Sequence, residues 1–156
     1  MKFQFSAGGI VLRQAQDFGS KPQFSKNIEV LLCQHSQHHG WVFPKGLIAD
    51  KKENESKEQT ALREVKEETG VEGKIIKILT PVSYWFVFEG EKVKKTVYYF
   101  LMEYIGGDIT KHDHEMENVE WLPKEEVEKR LTYKSDKKVW EVALRAINRQ
   151  PTAGQP

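Results

Sequence analysis

The chain is expected to fold as a single α/β domain, on three observations. β-Branched and alternating residues recur in both halves, from Phe3 to Arg13 and from Val71 to Tyr104. The segment Ser56 to Gly70 carries a full set of helix start and stop signals, and a second amphipathic helix follows Ser135. A length of 156 residues suffices for one core and leaves no room for a second full domain.

Taken in order, Phe3 to Arg13 is a strand whose Gly8-Gly9 pair permits close backbone approach. Gln14 to Lys26, with Gly19, Ser20 and Pro22, is a polar loop leading to a second strand, Ile28 to Gln34, which can pair with the first as an antiparallel hairpin. Gln34 to Gly40 makes a histidine-rich turn. Trp41-Val42-Phe43 is a short strand ended by Pro44, and Lys45 to Glu55 reads as irregular and exposed. Ser56 is placed to cap a helix, with Gln59 closing a capping box and Gly70 supplying the stop. Ala61, Leu62, Val65 and Thr69 share its packing face.

Val71 to Phe88 and Lys92 to Tyr104 read as strands, the latter following a tight turn at Glu89-Gly90-Glu91. A short strand is expected at Val119 to Leu122. Pro123 then opens a helix reaching Arg130, and Ser135 caps the last helix, which carries Val139, Trp140, Val142, Ala143 and Ile147. The domain is set at residues 1–148, with 149–156 a flexible tail.

With 38% hydrophobic residues the chain can build a core. A mean hydropathy of −0.62 and the lack of an apolar run of about 18 residues predict no membrane span. The 24 basic and 23 acidic residues nearly cancel, which argues against a stable nucleic-acid complex held by nonspecific phosphate contacts. The single cysteine, Cys33, cannot form an internal disulfide. The first residues also lack the apolar stretch of a signal peptide, so a cytoplasmic setting is expected. Cys33 itself reads as a small core residue.

Glu64, Glu67 and Glu68 lie on one arc of the first helix at about 100° per residue. Like charges at this spacing cost an isolated helix about 0.2–0.5 kcal/mol per pair. Lys66 lies on the far side and Arg63 flanks one edge, so neutralisation within the helix is partial. A bound hard divalent cation, Mg²⁺ or Mn²⁺, suits such oxygen ligands. The other reading is a solvated acidic face paired with lysines. Histidines 35, 38, 39, 112 and 114 do not read as a zinc site, because closed zinc sites favour thiolates or well-spaced histidines and only Cys33 is available.

The run Glu55, then Arg63-Glu64-Val65-Lys66-Glu67-Glu68-Thr69-Gly70-Val71, resembles the signature of the Nudix hydrolase family at every fixed position from Glu55 onward. Between Gly46 and Glu55 stand eight residues where the family pattern has five, an apparent insertion of three within Leu47 to Asn54. The resemblance implies an α/β/α sandwich with a mixed β-sheet between helices. It also implies metal-dependent cleavage of a nucleoside diphosphate linked to another moiety. By the same likeness Glu67 and Glu68, with the Gly46 carbonyl, are metal ligands, and Glu64 is a ligand or the base. Arg63 pairs with Glu55 and steadies the carboxylates.

Trp41-Val42-Phe43-Pro44-Lys45-Gly46 is similar to the approach to this signature in Nudix enzymes acting on dinucleoside polyphosphates and diphosphoinositol polyphosphates, which makes Lys45 a phosphate contact. His112-Asp113-His114-Glu115, ahead of Trp121, resembles the loop where such enzymes place an additional glutamate, so Glu115 is a candidate metal ligand or general base. Tyr133, after Leu131-Thr132, is a candidate base-stacking residue, with Tyr84, Trp85 and Phe86 as competitors. Lys95, with Lys92 and Lys94, either extends the phosphate site or protects a strand edge. The expected substrate is a dinucleoside polyphosphate such as Ap4A or Ap6A. An oxidised nucleoside triphosphate of the 8-oxo-dGTP type and an RNA 5′ pyrophosphate are the alternatives within the enzyme class, and a silent nucleotide-sensing domain the alternative outside it.

Overall fold

The computed structural model describes residues 1–15, 27–49 and 53–149. Its longest strand, β7 (Glu91–Gly107), organises the sheet. On one side β7 runs parallel to β1 (Lys2–Gln14), from Lys2↔Val93 to Leu12↔Glu103. On the other side it is antiparallel to both β5 (Val71–Ile78) and β6 (Val82–Phe88). Beyond β1 lie β2 (Ile28–His35) and β3 (Trp41–Val42), while β8 (Met116–Pro123) pairs with β2. The sheet is therefore mixed, as the resemblance implies.

The free side of β1 is shared by two partners. Ser6 to Gly8 pair with β4 (Lys45–Leu47), whereas Leu12 to Gln14 pair with β2. The expected hairpin thus forms only at its base. Lys45 to Leu47, expected to be irregular, is a strand whose pairing depends on a distant partner. Between β3 and β4 the chain steps across at Phe43-Pro44, from the edge of β2 to the edge of β1. Phe43, Lys45 and Gly46, at this step, line the cleft of the site.

Alternation along β1 supplies both cores. Ala7 and Val11 face helix α1 (Lys57–Thr69), where they join Ala61, Val65, Leu31, Cys33, Phe100 and Met102. Ile10 faces the other way, among Val30, Leu32, Phe43, Tyr99, Leu101 and the residues Val139, Trp140 and Ala143 of α3 (Lys134–Arg149). Helices on both faces of a mixed sheet make the α/β/α sandwich. Cys33 is buried, as expected of a core residue, and its thiol lies 3.6 Å from the Val42 carbonyl.

Val71 to Phe88 is broken at Leu79–Pro81, so it forms two strands on one partner rather than a continuous run. A 3-10 turn (Lys124–Glu126) precedes α2 (Val127–Arg130) after Pro123. Helix α3 starts at Lys134, which puts Ser135 inside its first turn rather than at the cap. It runs through Arg149, so the expected tail boundary falls within the helix, and the rest of the tail lies outside the described residues. So does most of the loop expected from Gln14 to Lys26, and Gln14 itself ends β1. Among the described residues no helix is long and apolar enough to cross a membrane.

Candidate active site

The site is built on α1. Ser56 caps it, accepting from the Gln59 amide at 3.1 Å, and the Gln59 side chain accepts from the Ser56 amide at 3.0 Å. Gly70 ends it with φ 79°, a left-handed conformation that costs a glycine nothing. Both ends are thereby fixed, and with them the directions of the side chains between.

Just ahead of the cap, Glu55 is buried and accepts from the Thr60 hydroxyl at 2.7 Å. It also takes a bidentate pair from Arg63, Nε to Oε2 at 2.8 Å and Nη2 to Oε1 at 2.9 Å. The remaining arm of Arg63, Nη1, reaches Glu64 at 2.7 Å and Glu67 at 3.0 and 3.1 Å. One guanidinium therefore bridges three carboxylates, more than the edge position expected from helical spacing. These hydrogen bonds, that of Glu55 foremost, hold Arg63 more firmly protonated than usual.

Nor is the carboxylate arc a solvated face: Glu64 is 5% exposed and Glu68 4%, while Leu62, expected to pack, is 36% exposed. The Glu64 carboxylate lies against the Cα of Gly46, where any side chain would overlap it. Glu68 Oε1 accepts from the Lys45 amide at 3.3 Å. Burial raises the pKa of both carboxyls. For Glu68 the neighbouring Glu64 adds to this, whereas Arg63 opposes it at Glu64. Two buried carboxylates side by side require a proton or a cation between them. Oxygen donors of this kind suit a hard divalent cation, so the residues fit the metal that the resemblance implies. Among the described residues no three His, Cys, Asp or Glu side chains converge as a finished cation cage, and Glu67 is engaged by Arg63. Glu64, Glu68 and Gly46 are brought together.

Next to them is a cleft of about 280 Å³. Glu68, Gly46 and Glu115 line it, together with Lys45, Lys95, Tyr84, His35 and His38. Burial, then the like charge of Lys45, pushes the Lys95 ammonium down to about 8. Glu115 comes from a loop tied to the end of α1, where the Asp113 amide donates to the Glu67 carbonyl at 2.8 Å and the Asp108 amide to the Gly70 carbonyl at 3.0 Å. Its charge is felt at Glu68. Glu117 and Glu120 are engaged elsewhere, by His39 and by Arg130 at 2.5 Å.

Of the three lysines expected to extend the site, only Lys95 lines the cleft. Lys92 and Lys94 lie 5.8 and 5.7 Å from the ring of Trp85, which pairs with Lys94 in the ladder. Tyr133 sits at the margin, its hydroxyl 2.8 Å from His38 Nδ1. That nitrogen also accepts from the Gly40 amide at 3.0 Å, and His35 Nδ1 from the Gln37 amide at 3.1 Å, so each ring carries its proton on Nε2. The rings stack at 4.3 Å, and burial followed by His35 lowers the pKa of His38, keeping it neutral.

His35 and His38, expected not to bind zinc, line the cleft, as does Tyr84, expected as a competitor of Tyr133 for base stacking. A usable signal exists for Tyr84, the direct cross-strand neighbour of Lys95.

The NUDIX domain model matches residues 8–142. A putative mutator protein MutT4 of Mycobacterium tuberculosis is 40% identical over 114 residues, 73% of this chain and 45% of that protein. The asymmetrical bis(5′-nucleosyl)-tetraphosphatase of Rattus norvegicus is 40% identical over 83 residues, 53% of this chain and 54% of that one. The chain thus spans about half the length of these curated relatives. Among solved structures, a binary complex of a C. elegans Ap4A hydrolase superposes with a TM-score of 0.66 at 24% identity, covering 93% of this chain and 98% of that one, a likeness of fold. On the family match, which spans both the sheet and the carboxylate helix, this chain belongs to the NUDIX domain family.

Proposed function

We propose that this protein is a pyrophosphohydrolase that uses Mg²⁺ or Mn²⁺ to cleave phosphoanhydride bonds in nucleotides, with a dinucleoside polyphosphate such as Ap4A as its substrate. The observation that carries this reading is the cleft itself, which the carboxylates Glu68 and Glu115 line together with the ammonium groups of Lys45 and Lys95. A phosphate chain lying between them meets cations, while its scissile bond stays beside the carboxylates. The name of the rat relative, a tetraphosphatase of bis(5′-nucleosyl) compounds, supports the substrate class.

In this reading Glu64, Glu67, Glu68 and the Gly46 carbonyl hold the metal, which supplies charge neutralisation at phosphate and acidifies bound water. Glu67 exchanges part of its contact with Arg63 for that task. Arg63 keeps Glu64 in place through its own pair with Glu55, so the carboxylates do not reorganise during turnover. Glu115, free of the helix, accepts the proton of the attacking water as general base. Lys45 and Lys95 hold non-bridging phosphate oxygens, and the Nε2 protons of His35 and His38 donate to the same chain. Tyr84 and Tyr133 flank the position of a base.

The test is a screen of the purified protein with Mg²⁺ or Mn²⁺ against Ap4A, Ap6A, ADP-ribose, 8-oxo-dGTP and triphosphorylated RNA. A dinucleoside polyphosphate should give the highest kcat/KM. A preference of about tenfold or more for 8-oxo-dGTP would favour a role in removing oxidised nucleotides instead.

A further inference from the structure

Helix α3 buries Val139, Trp140 and Ala143 in the core. At about 100° per residue, Lys138, Glu141, Val142, Arg145 and Arg149 fall on a different arc of the helix, beside the link between β5 and β6. Lys138, Arg145 and Arg149 lie within about 20° of one line along that arc, and Arg145 and Arg149, one turn apart, repel each other. Lys77, near the end of β5, joins Arg145 and Arg149 in lining a groove between the two elements. Among the described residues none of these four cations forms an ion pair.

The groove has two parts, continuous through Thr80, Val142 and Arg145, which line both. One part, of about 220 Å³, holds Lys77, Arg145 and Arg149. The other, of about 320 Å³, adds Pro81 and Val82, with Lys138 and Glu141. Together they fall within the roughly 300–1,000 Å³ of small-molecule sites. No described residue lines both this groove and the catalytic cleft. The two parts differ in chemistry. Three cations in the first match one multiply charged anion, and guanidinium forks suit phosphate oxygens. In the second, Pro81, Val82 and Val142 give the flat side of a base an apolar wall, and the Glu141 carboxylate can accept from an exocyclic amino group. An acidic peptide spaces its carboxylates along an extended chain and would not match cations gathered in one part.

We propose that the groove between the β5–β6 link and α3 is a second nucleotide site, separate from the catalytic cleft, which takes a nucleoside diphosphate. Lys77, Arg145 and Arg149 hold its phosphates, the base lies on Pro81, Val82 and Val142, and Glu141 favours a base that carries an amino group. The site goes beyond the functional reading above and does not depend on it. Binding there needs no metal, because the cations of the chain itself neutralise the phosphates.

The test is a titration of the native protein, in excess chelator, with ADP, UDP and inorganic pyrophosphate, followed by NMR at backbone amides. ADP should shift the amides of Thr80, Val142 and Arg145 along one saturating curve. The double variant Arg145→Ala with Arg149→Ala removes two exposed side chains and should fold as the native protein does. It should raise the Kd read at Thr80 and Val142 by roughly tenfold or more, and leave hydrolysis of Ap4A with Mg²⁺ unchanged. UDP, whose base has no amino group, and pyrophosphate, which has no base, should each bind several-fold more weakly than ADP. Shifts confined to Lys45, Gly46 and Glu115 would place ADP in the catalytic cleft alone and overturn the proposal. So would a Kd at Thr80 that the double variant does not change, and UDP or pyrophosphate binding as tightly as ADP would refute the seat for the base. Inactivity of the native protein on every nucleotide would strike the functional reading and leave the titration standing, since it needs neither metal nor turnover.

Discussion

Arg63 and Glu55 form a bidentate ion pair across the first two turns of α1, at 2.8 and 2.9 Å, and the same guanidinium reaches Glu64 and Glu67. The Glu55 side chain is 4% exposed and that of Arg63 21%, so removing one partner leaves a buried charge uncompensated. Arg63→Ala should therefore destabilise the fold by about 3 kcal/mol, the lower end for a broken buried pair. Urea unfolding of Arg63→Ala, Glu55→Gln and the double variant checks this. Additive losses in the two single variants would mean that the pair does not act as a unit.

The raised pKa of Glu68 gives the metal-free protein an unusual pH dependence. Its folded carboxyl holds a proton more tightly than the unfolded one. The resulting stabilisation is full below the ordinary glutamate range and is lost as pH rises through the folded pKa. In excess chelator, Tm should fall as pH rises above the ordinary glutamate value of about 4.5. Glu68→Gln should flatten that fall, raise Tm at pH 7 and abolish the stabilisation that Mg²⁺ gives the native protein. A native Tm that rises over the same interval, with no difference in Glu68→Gln, would contradict the placement of this charge.

Lys95, with its pKa pushed down to about 8, should lose its charge where substrate is still fully anionic. KM should then rise as pH increases through about 8, with a smaller change in kcat. Lys95→Arg keeps its charge and should remove that rise. The fold responds with the opposite sign. Because the folded group releases its proton more readily than the unfolded one, the cost of burying the charge is relieved between about pH 8 and 10.5. A KM profile identical in Lys95→Arg would assign the titration to another group.

Glu115 lines the cleft, while Glu117, two residues on, is engaged by His39. Glu115→Gln should lower kcat by roughly 10²-fold with little change in KM, as expected for a general base. Glu117→Gln should change neither appreciably. Comparable losses in both would move the base to Glu64.

What could be read from residue order divides along the range of the interactions involved. The caps of α1 lie within fifteen residues of one another and local spacing is enough to expect them, while the Arg63–Glu55 pair is what the family resemblance implies. The strand at Lys45–Leu47 and the parallel pairing of β1 with β7 join residues far apart in sequence, where no local pattern exists. Register explains the lysines likewise: neighbours on a strand face opposite ways, so Lys94 and Lys95 could not both reach one site. The burial of Glu64 and Glu68 was not legible either, because three glutamates on one arc look the same in water as in a cleft.

The most direct measurement is hydrolysis of Ap4A by the native protein and by Glu68→Gln, each with Mg²⁺ and with excess chelator, followed by separation of the nucleotide products. The account predicts rapid release of two nucleotides by the native protein with Mg²⁺, loss of that activity in chelator, and a fall of roughly 10²-fold or more in Glu68→Gln. Undiminished turnover in chelator, or a Glu68→Gln variant as fast as the native protein, would contradict it.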